Sequence, residues 1–125
     1  QEKFKYAEAE QKALNLLKRV GLERQAQQTP KVLSGGEQQR VAIARALIRE
    51  PKIIFADEPT GNLDGETATE IEQLLFELNR ELGTTLVLVT HDPKLAAQCQ
   101  RHYALIDGQL VEQFAAKPTA AITGG

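Results

Sequence analysis

The 125-residue sequence contains no methionine and no tryptophan, and it has a single cysteine, Cys99. One cysteine cannot build an intramolecular disulfide framework, which favours a reducing compartment of the cytoplasmic type. No apolar run approaches the roughly 18 residues of a membrane-spanning helix, and the first ten residues do not resemble a signal peptide. The formal net charge of -2 gives no basic surface for nucleic acid or anionic lipid.

Methionine is also missing from the first position, where Gln1 stands. We therefore expect the sequence to begin inside a longer polypeptide. The rest of the composition, 42% hydrophobic and 26% charged, is typical of a globular chain, and the length allows one domain at most.

Two helices are predicted in the first part of the chain. Apolar residues recur at helical spacing over Tyr6–Val20, and Gly21 ends this helix. Ser34 and Glu37 have the spacing of a capping box, so a second helix begins there and runs to about Arg49. Its predicted buried side consists of Val41, Ala44, Leu47 and Ile48.

Two further helices follow in the second part. Asp64 is placed to cap a third helix, which Gly83 ends, and Asp92-Pro93 begins a fourth. The third helix has a strong 3.6-residue period of apolar residues, which predicts a buried face made of Ala68, Ile71, Leu74, Leu75 and Leu78.

Short apolar runs predict the strands. Ile53–Ala56 and Thr85–Val89 are continuous runs, which is typical of parallel strands buried on both faces. Tyr103–Ile106 and Gln109–Val111 flank Asp107-Gly108, which is the strongest short signal for a β-hairpin. The order of helices and strands indicates an α/β fold with parallel central strands.

Polar residues follow both apolar runs at the point where each predicted strand ends. Asp57 and Glu58 end the first strand, and Thr90 and His91 end the second. Ligands of open α/β sheets gather at these carboxyl ends. Asp57 can hold Mg²⁺ directly or through water, and Glu58 can orient or deprotonate a water molecule. A solvent-exposed acidic loop before a helix explains Asp57-Glu58 alone equally well.

The turn Ser34-Gly35-Gly36 offers a second candidate site. Glycines allow close approach of a ligand to the backbone, and a helix start presents N–H groups that favour an anion. Taken alone, a simple capping box is the better interpretation, because such boxes are common.

The remaining candidate residues are interpreted as structural. His91 taken alone is more often a structural hydrogen-bonding residue than a ligand, and His102 has no setting that suggests a function. Cys99, placed on a short helix, is interpreted as a small buried apolar group. The arginines of the second helix are interpreted as a solvated face rather than a phosphate clamp: Arg40, Arg45 and Arg49.

Read in order, these motifs closely resemble the ATP-binding subunit of ABC transporters. Leu33–Arg40 (LSGGEQQR) is similar to the family's signature motif, and Ile53–Glu58 (IIFADE) is similar to Walker B with its catalytic glutamate. Asn62-Leu63-Asp64 resembles the D-loop, and His91 resembles the switch histidine. The stretch Phe55–Asp64 (FADEPTGNLD) further resembles the lipoprotein-release, macrolide-export and cell-division branch of bacterial exporters.

The resemblance extends from about Ala7 to Val111 and implies a P-loop NTPase-like parallel sheet with flanking helices and a C-terminal β-hairpin, truncated at the amino end. It implies that residues 1–33 end a helical subdomain and that 34–114 hold the signature helix and catalytic core. Residues 115–125 are expected to form a disordered or loosely packed tail.

The resemblance also implies roles for individual residues within the ATP site. Asp57 would help to coordinate Mg²⁺, Glu58 would act on the attacking water, and His91 would contact the γ-phosphate.

Other roles would be carried out towards a second subunit. Ser34, Gly35 and Gly36, with Glu37 in place of the usual glutamine, would bind the γ-phosphate of ATP held by a second ATPase subunit. Asp64 would lie at the dimer interface. Transmembrane permease subunits would be the other partners, at the inner face of the bacterial inner membrane, and nucleic acid would not be a partner.

No stretch of the sequence matches G-x-x-x-x-G-K-[ST], the loop that cradles the β- and γ-phosphates of ATP. Two hypotheses follow. The chain is the carboxy-terminal part of a transport ATPase that powers export and is inactive alone, or it is a non-catalytic remnant or interaction module that docks on an intact ABC ATPase. A chromosome-type or repair-type ABC ATPase is disfavoured, because Asp64 leads directly into a helix.

Overall fold

The computed structural model describes residues 2–24 and 32–114 of the chain. The described elements follow in the order α1 (Glu2–Arg19), α2 (Gly35–Leu47), β1 (Ile53–Asp57), α3 (Gly65–Leu82), β2 (Thr85–Val89), α4 (Pro93–Ala97), β3 (His102–Ile106) and β4 (Gln109–Gln113). Every predicted helix and strand is present, and the α/β prediction is confirmed. The predicted tail at 115–125 lies outside the described residues. Among the described helices, none combines the length and the apolar character needed to cross a membrane.

The chain divides into two compact units. Of the described residues, the first unit draws on 2–24, 32–54 and 60–86 and contains α1, α2 and α3. The second draws on 55–59 and 87–114 and contains α4 and the pair β3–β4.

The core of the first unit lies along α3. Ile71 is fully buried, and Leu74, Leu75 and Leu78 are almost so, as the 3.6-residue period predicted. Burying such a side chain contributes about 1.5–3 kcal/mol. Ala68, which was also predicted to be buried, is only partly buried. α2 packs against both α1 and α3. It supplies the buried residues Ile43, Ala44 and Leu47, and the segment just after α1 supplies Val20 and Leu22.

The buried face of α2 differs from the prediction. Ile43 is buried in place of Val41, which is partly exposed, as is Ile48. The buried positions Gly36, Ile43, Ala44 and Leu47 form one helical stripe that begins at the glycine, so the close packing of Gly36 sets the rotation of the helix. The helix ends at Leu47, before the predicted Arg49.

The interpretation of Arg40 as part of a solvated face is wrong. Its Nη1 donates a hydrogen bond to the carbonyl oxygen of Val20 at 2.8 Å, and its Nη2 lies 3.4 Å from the Glu70 carboxylate. The guanidinium thus satisfies a carbonyl just past the end of α1, where no helical partner remains. Arg45 and Arg49 are exposed, as predicted.

β1 and β2 are neighbours in one sheet. The Thr85 N–H donates to the Lys52 carbonyl at 2.9 Å, and the Glu58 N–H donates to the Val89 carbonyl at 2.7 Å. The start of β1 therefore lies beside the start of β2, and the two strand ends also lie side by side. The strands are parallel, and α3 is the helix that connects them.

The prediction that these strands are buried on both faces is wrong for the described residues. Ile53 is 57% exposed and Phe55 is 73% exposed, while the intervening Ile54 is half-buried. Successive side chains point to opposite faces of a sheet, so this alternation leaves one face of β1 uncovered. A continuous apolar run indicates that a strand can be buried on both faces; it does not supply the elements that cover it.

The predicted hairpin is confirmed. β3 and β4 are antiparallel, with Ala104 opposite Val111, and Asp107 and Gly108 both have positive φ angles (49° and 77°) at the turn. These angles are those of a type I′ turn, whose twist matches the strands.

Two predictions for the second unit need correction or detail. Cys99 lies past the end of α4 and is half-buried, and burial raises the pKa of its thiol. His102 is half-buried at the start of β3, and its Nε2 atom is buried with no hydrogen-bond partner among the described residues.

Candidate functional site

The start of α2 is built by a complete capping box. Ser34 has an extended backbone, and its Oγ accepts a hydrogen bond from the Glu37 N–H at 3.1 Å. The Glu37 Oε1 accepts in turn from the Ser34 N–H at 2.9 Å. Gly35 and Gly36 lie in the first turn, where the helix itself supplies no acceptor for the backbone N–H groups. This end of α2 therefore has the polarity that favours an anion.

Both glycines are packed against residues at the start of α3, one just before the helix and one in its first turn. A Cβ atom added at Gly35 would lie 3.1 Å from Leu63 Cδ2, and one added at Gly36 would lie 2.6 Å from Thr67 Cγ2. We call these contacts between Gly35, Gly36, Leu63 and Thr67 the glycine junction. Only glycine fits at Gly36 without displacing its neighbour, so the junction brings the starts of α2 and α3 together within the first unit.

Asp64 caps α3, as predicted. Its Oδ1 accepts a hydrogen bond from the Thr67 N–H at 2.9 Å. This backbone bond, followed by a bond from the Thr67 hydroxyl, lowers the pKa of the Asp64 carboxyl, because both stabilise the charged form. The carboxylate is exposed and remains ionised at neutral pH.

The carboxyl ends of β1 and β2 bring two predicted residues together within the second unit. The Glu58 Oε1 accepts a hydrogen bond from the His91 N–H at 2.8 Å, and the His91 Nε2 lies 3.7 Å from the same oxygen. We call Glu58 and His91 the strand-end pair. The histidine side chain is 77% exposed and that of the glutamate 37% exposed, so both remain accessible to a ligand.

The backbone at Glu58 is unusual for a residue with a side chain. Its φ angle is 46°, in the left-handed region that non-glycine residues seldom adopt. The hydrogen bond from its N–H to Val89 and the one from His91 to its carboxylate hold this conformation. Backbone conformations of this kind are concentrated at functional sites.

Asp57 is the last residue of β1 and is exposed. Among the residues that the structure describes, no three His, Cys, Asp or Glu side chains form a metal-binding group. A single carboxylate suits Mg²⁺, which keeps several waters and is often held by one or two carboxylates together with substrate phosphates.

A cavity of about 620 Å³ lies within the first unit. It is lined by parts of α1 and by the ends of α2 and α3, and it includes Leu16, Leu47 and the Lys12–Glu50 ion pair, whose atoms are 3.4 Å apart. None of the predicted site residues lines it.

The packing of Leu63 and Thr67 against the two glycines was not predicted from the sequence. Thr67 stands three residues after the N-cap Asp64, where its N–H is expected to meet the capping side chain. That local signal was available, but the contact of its methyl group with Gly36 depends on how two helices pack.

Comparison with known proteins relates the chain to one family. Residues 1–61 match the model of the ABC transporter family. The chain is 55% identical over 107 residues to the uncharacterized ABC transporter ATP-binding protein YbbA of Escherichia coli (strain K12). This match covers 86% of the chain and 47% of YbbA. It is 57% identical over 103 residues to the lipoprotein-releasing system ATP-binding protein LolD of Idiomarina loihiensis, covering 82% of this chain and 45% of LolD.

A solved structure gives the same relationship. The ATP-binding cassette MJ0796, in a dimeric post-hydrolysis state bound to ADP and phosphate, matches with a TM-score of 0.67 and 50% identity. The match covers 82% of this chain and 45% of that one. The chain thus spans about half the length of the curated relatives that it matches.

Proposed function

Because the chain belongs to the family of ABC transporter ATP-binding subunits, we propose that residues 34–114 form one part of an ATP-hydrolysing site that drives transport. Residues 1–33 are the end of a helical subdomain in this proposal. The observation that carries it is the strand-end pair, because a carboxylate and an imidazole held together at the ends of neighbouring parallel strands suit attack of water on a phosphate.

Within this site, Glu58 is the residue that acts on the attacking water. Its carboxylate is fixed by the His91 N–H at 2.8 Å but remains partly exposed, so it can also accept a hydrogen bond from water. The His91 imidazole is positioned to donate to a γ-phosphate oxygen. Asp57 holds Mg²⁺, which when bound neutralises charge that develops on the phosphates.

The start of α2 acts towards a second subunit. Ser34, Gly35 and Gly36 bind the γ-phosphate of ATP that the other subunit holds, and Glu37 supports them through the capping box. The support for this role is the pair of first-turn glycines, whose N–H groups lie at the positive end of a helix. Asp64 lies at the subunit interface.

The proposed assembly is a sandwich of two ATPase subunits with transmembrane permease subunits, at the inner face of the bacterial inner membrane, and it powers export. The dimeric state of MJ0796 supports the first partner, and the naming of LolD as part of a lipoprotein-releasing system supports the second.

The 125 residues contain no G-x-x-x-x-G-K-[ST] stretch to cradle the phosphates of ATP. We therefore propose that the chain on its own neither binds ATP tightly nor hydrolyses it. In the active ATPase, the phosphate cradle is supplied by residues outside these 125. Calorimetry with ATP and Mg²⁺ tests this directly. Micromolar affinity for ATP in the isolated chain would contradict the proposal.

A chimera tests the catalytic half of the proposal. Residues 1–114 replace the matching portion of E. coli YbbA, which is 55% identical, and ATP turnover is compared with that of intact YbbA. Turnover within about tenfold of YbbA is expected, since the strand-end pair is complete. A folded chimera that binds ATP without hydrolysing it would favour the alternative, a non-catalytic module that docks on an intact ATPase.

A further inference from the structure

Thr67 makes contacts in two directions. Its N–H donates a hydrogen bond to the Asp64 carboxylate at 2.9 Å, and its hydroxyl helps to lower the pKa of that carboxyl. Its methyl carbon, Cγ2, lies where a side chain on Gly36 would begin. One half-buried residue thus contacts both the acid that caps α3 and the buried glycine in the first turn of α2.

We propose that Thr67 is a positioning residue that holds the phosphate-binding turn of α2 in register with Asp64. This inference rests on the proposed function, because that function assigns Gly36 to ATP and Asp64 to the subunit interface. In this arrangement a displacement of Asp64 at the interface moves the first turn of α2 with it, through Thr67.

The methyl group of Thr67 has little freedom to move. Threonine is branched at Cβ and has few χ1 rotamers. Its Cγ2 atom lies beside Gly36, and the Thr67 backbone is held by the hydrogen bond from its N–H to Asp64 at 2.9 Å. The methyl is therefore a stiff contact for the helix, unlike the end of a long flexible side chain.

A second contact limits movement of the turn. Leu63, on the other side of Asp64, lies against Gly35, where an added Cβ would be 3.1 Å from its Cδ2. The two residues that flank the first turn of α3 thus contact two successive glycines of α2. Gly35 is exposed, so displacement is transmitted mainly at the buried Gly36, because protein interiors compress little.

The contact predicts that Thr67→Ser restores the stability that Gly36→Ala removes, and the test uses the full 125-residue chain. Gly36→Ala places a Cβ within 2.6 Å of Thr67 Cγ2 and should lower the Tm by about 5 °C or more. Thr67→Ser removes that methyl group and keeps the hydroxyl, so the double variant should recover at least half of the loss. Additive Tm changes in the two variants would overturn the proposal.

Matched variants separate the methyl group from the hydroxyl. Thr67→Val keeps a methyl group but loses the hydroxyl, so it should not rescue Gly36→Ala and should raise the Asp64 pKa, measured by carboxyl NMR. Thr69→Ser is the control, because Thr69 is exposed and its hydroxyl bonds the Gly65 carbonyl instead. A rescue by Thr69→Ser equal to that by Thr67→Ser would contradict the assignment to Thr67. If Gly36→Ala does not fold, refolding in the Thr67→Ser background alone supports the proposal, and failure in both backgrounds opposes it.

The functional readout uses the YbbA chimera. Gly36→Ala should lower kcat by about tenfold or more through misplacement of the turn, with little change in KM for ATP, and Thr67→Ser in the same chain should restore most of kcat. An inactive parent chimera would oppose the proposed function, while the Tm experiment would still decide the role of Thr67. An active chimera without rescue of kcat would oppose the role of Thr67 and leave the proposed function standing.

Discussion

The glycine junction and the strand-end pair hold their residues in different ways. At the junction, Gly36 is buried and contacts a methyl group of the next helix, and the caps of both helices are complete. At the strand ends, His91 is exposed and Glu58 partly exposed, and they are held by a 2.8 Å hydrogen bond from the His91 N–H and by the left-handed backbone at Glu58. The first is a packing contact, and the second is a polar contact open to solvent.

This difference predicts which substitutions change folding stability and which change ATP turnover. A buried apolar contact contributes to folding whatever is bound, whereas an exposed polar pair contributes about 0–1 kcal/mol. We expect substitutions at the strand-end pair to change turnover more than folding, and substitutions in the first unit's helices to change folding first.

The largest expected effect is that of Glu58→Gln on turnover in the YbbA chimera. The glutamine can still accept from the His91 N–H, so the Tm should move by less than about 2 °C. Its amide cannot act as a base, so kcat should fall by about a hundredfold or more, with ATP binding by calorimetry unchanged. Near-normal ATPase activity would remove Glu58 from this role.

Ile71→Ala tests the other side of the comparison. Ile71 is fully buried on α3, and its truncation should cost about 2–5 kcal/mol of unfolding free energy, measured by urea denaturation of the chain. Leu82→Ala on the same helix is the control, because Leu82 is 53% exposed and should change stability by less than about 0.5 kcal/mol. Equal losses in the two variants would show that the first unit is not organised around the α3 face.

Ser34→Ala lies between these extremes, since Ser34 both caps α2 and is assigned to phosphate binding. Loss of the bond to the Glu37 N–H should cost about 1 kcal/mol, measured by thermal unfolding of the chain. Ser34→Asn, which keeps a capping acceptor, should retain most of that stability. If Ser34→Asn destabilises the chain as much as Ser34→Ala, the cap is not the source of the loss.

The smallest expected effect is a pH dependence at Asp64. Its pKa is lowered in the folded chain by the Thr67 N–H and then the hydroxyl. The stabilisation from the ionised form is therefore present above the ordinary carboxyl pKa and is lost as pH falls through the lowered value. Asp64→Asn also caps a helix but does not titrate, so its Tm difference from the unmodified chain should shrink below about pH 4. Parallel Tm curves over about pH 2.5 to 7 would contradict this.

Local signals predicted the elements well because the chemistry behind them is local. The capping box at Ser34 and Glu37, the cap at Asp64 and the Asp107-Gly108 turn each depend on residues within a few positions of one another. The apolar period of α3 was equally reliable, because a helix buries one stripe whatever it packs against.

Most of the misses concern partners far away in the chain. Arg40 was interpreted as solvated, but it satisfies the Val20 carbonyl twenty residues away. β1 was predicted to be buried on both faces, but Phe55 is 73% exposed. The contact of Thr67 with Gly36 had no signal in the spacing, since it depends on the packing of α3 against α2.

The sequence by itself determined which helices and strands form and which polar residues follow the strands, and its motifs resemble those of one family. Only the tertiary structure decided that the Glu58 carboxylate bonds the backbone of His91, 33 residues further on, and that Gly36 has to be glycine because a methyl group occupies the adjacent space. The physical reason is that caps and turns are satisfied by neighbours in sequence, whereas packing and exposure depend on atoms that only folding brings together.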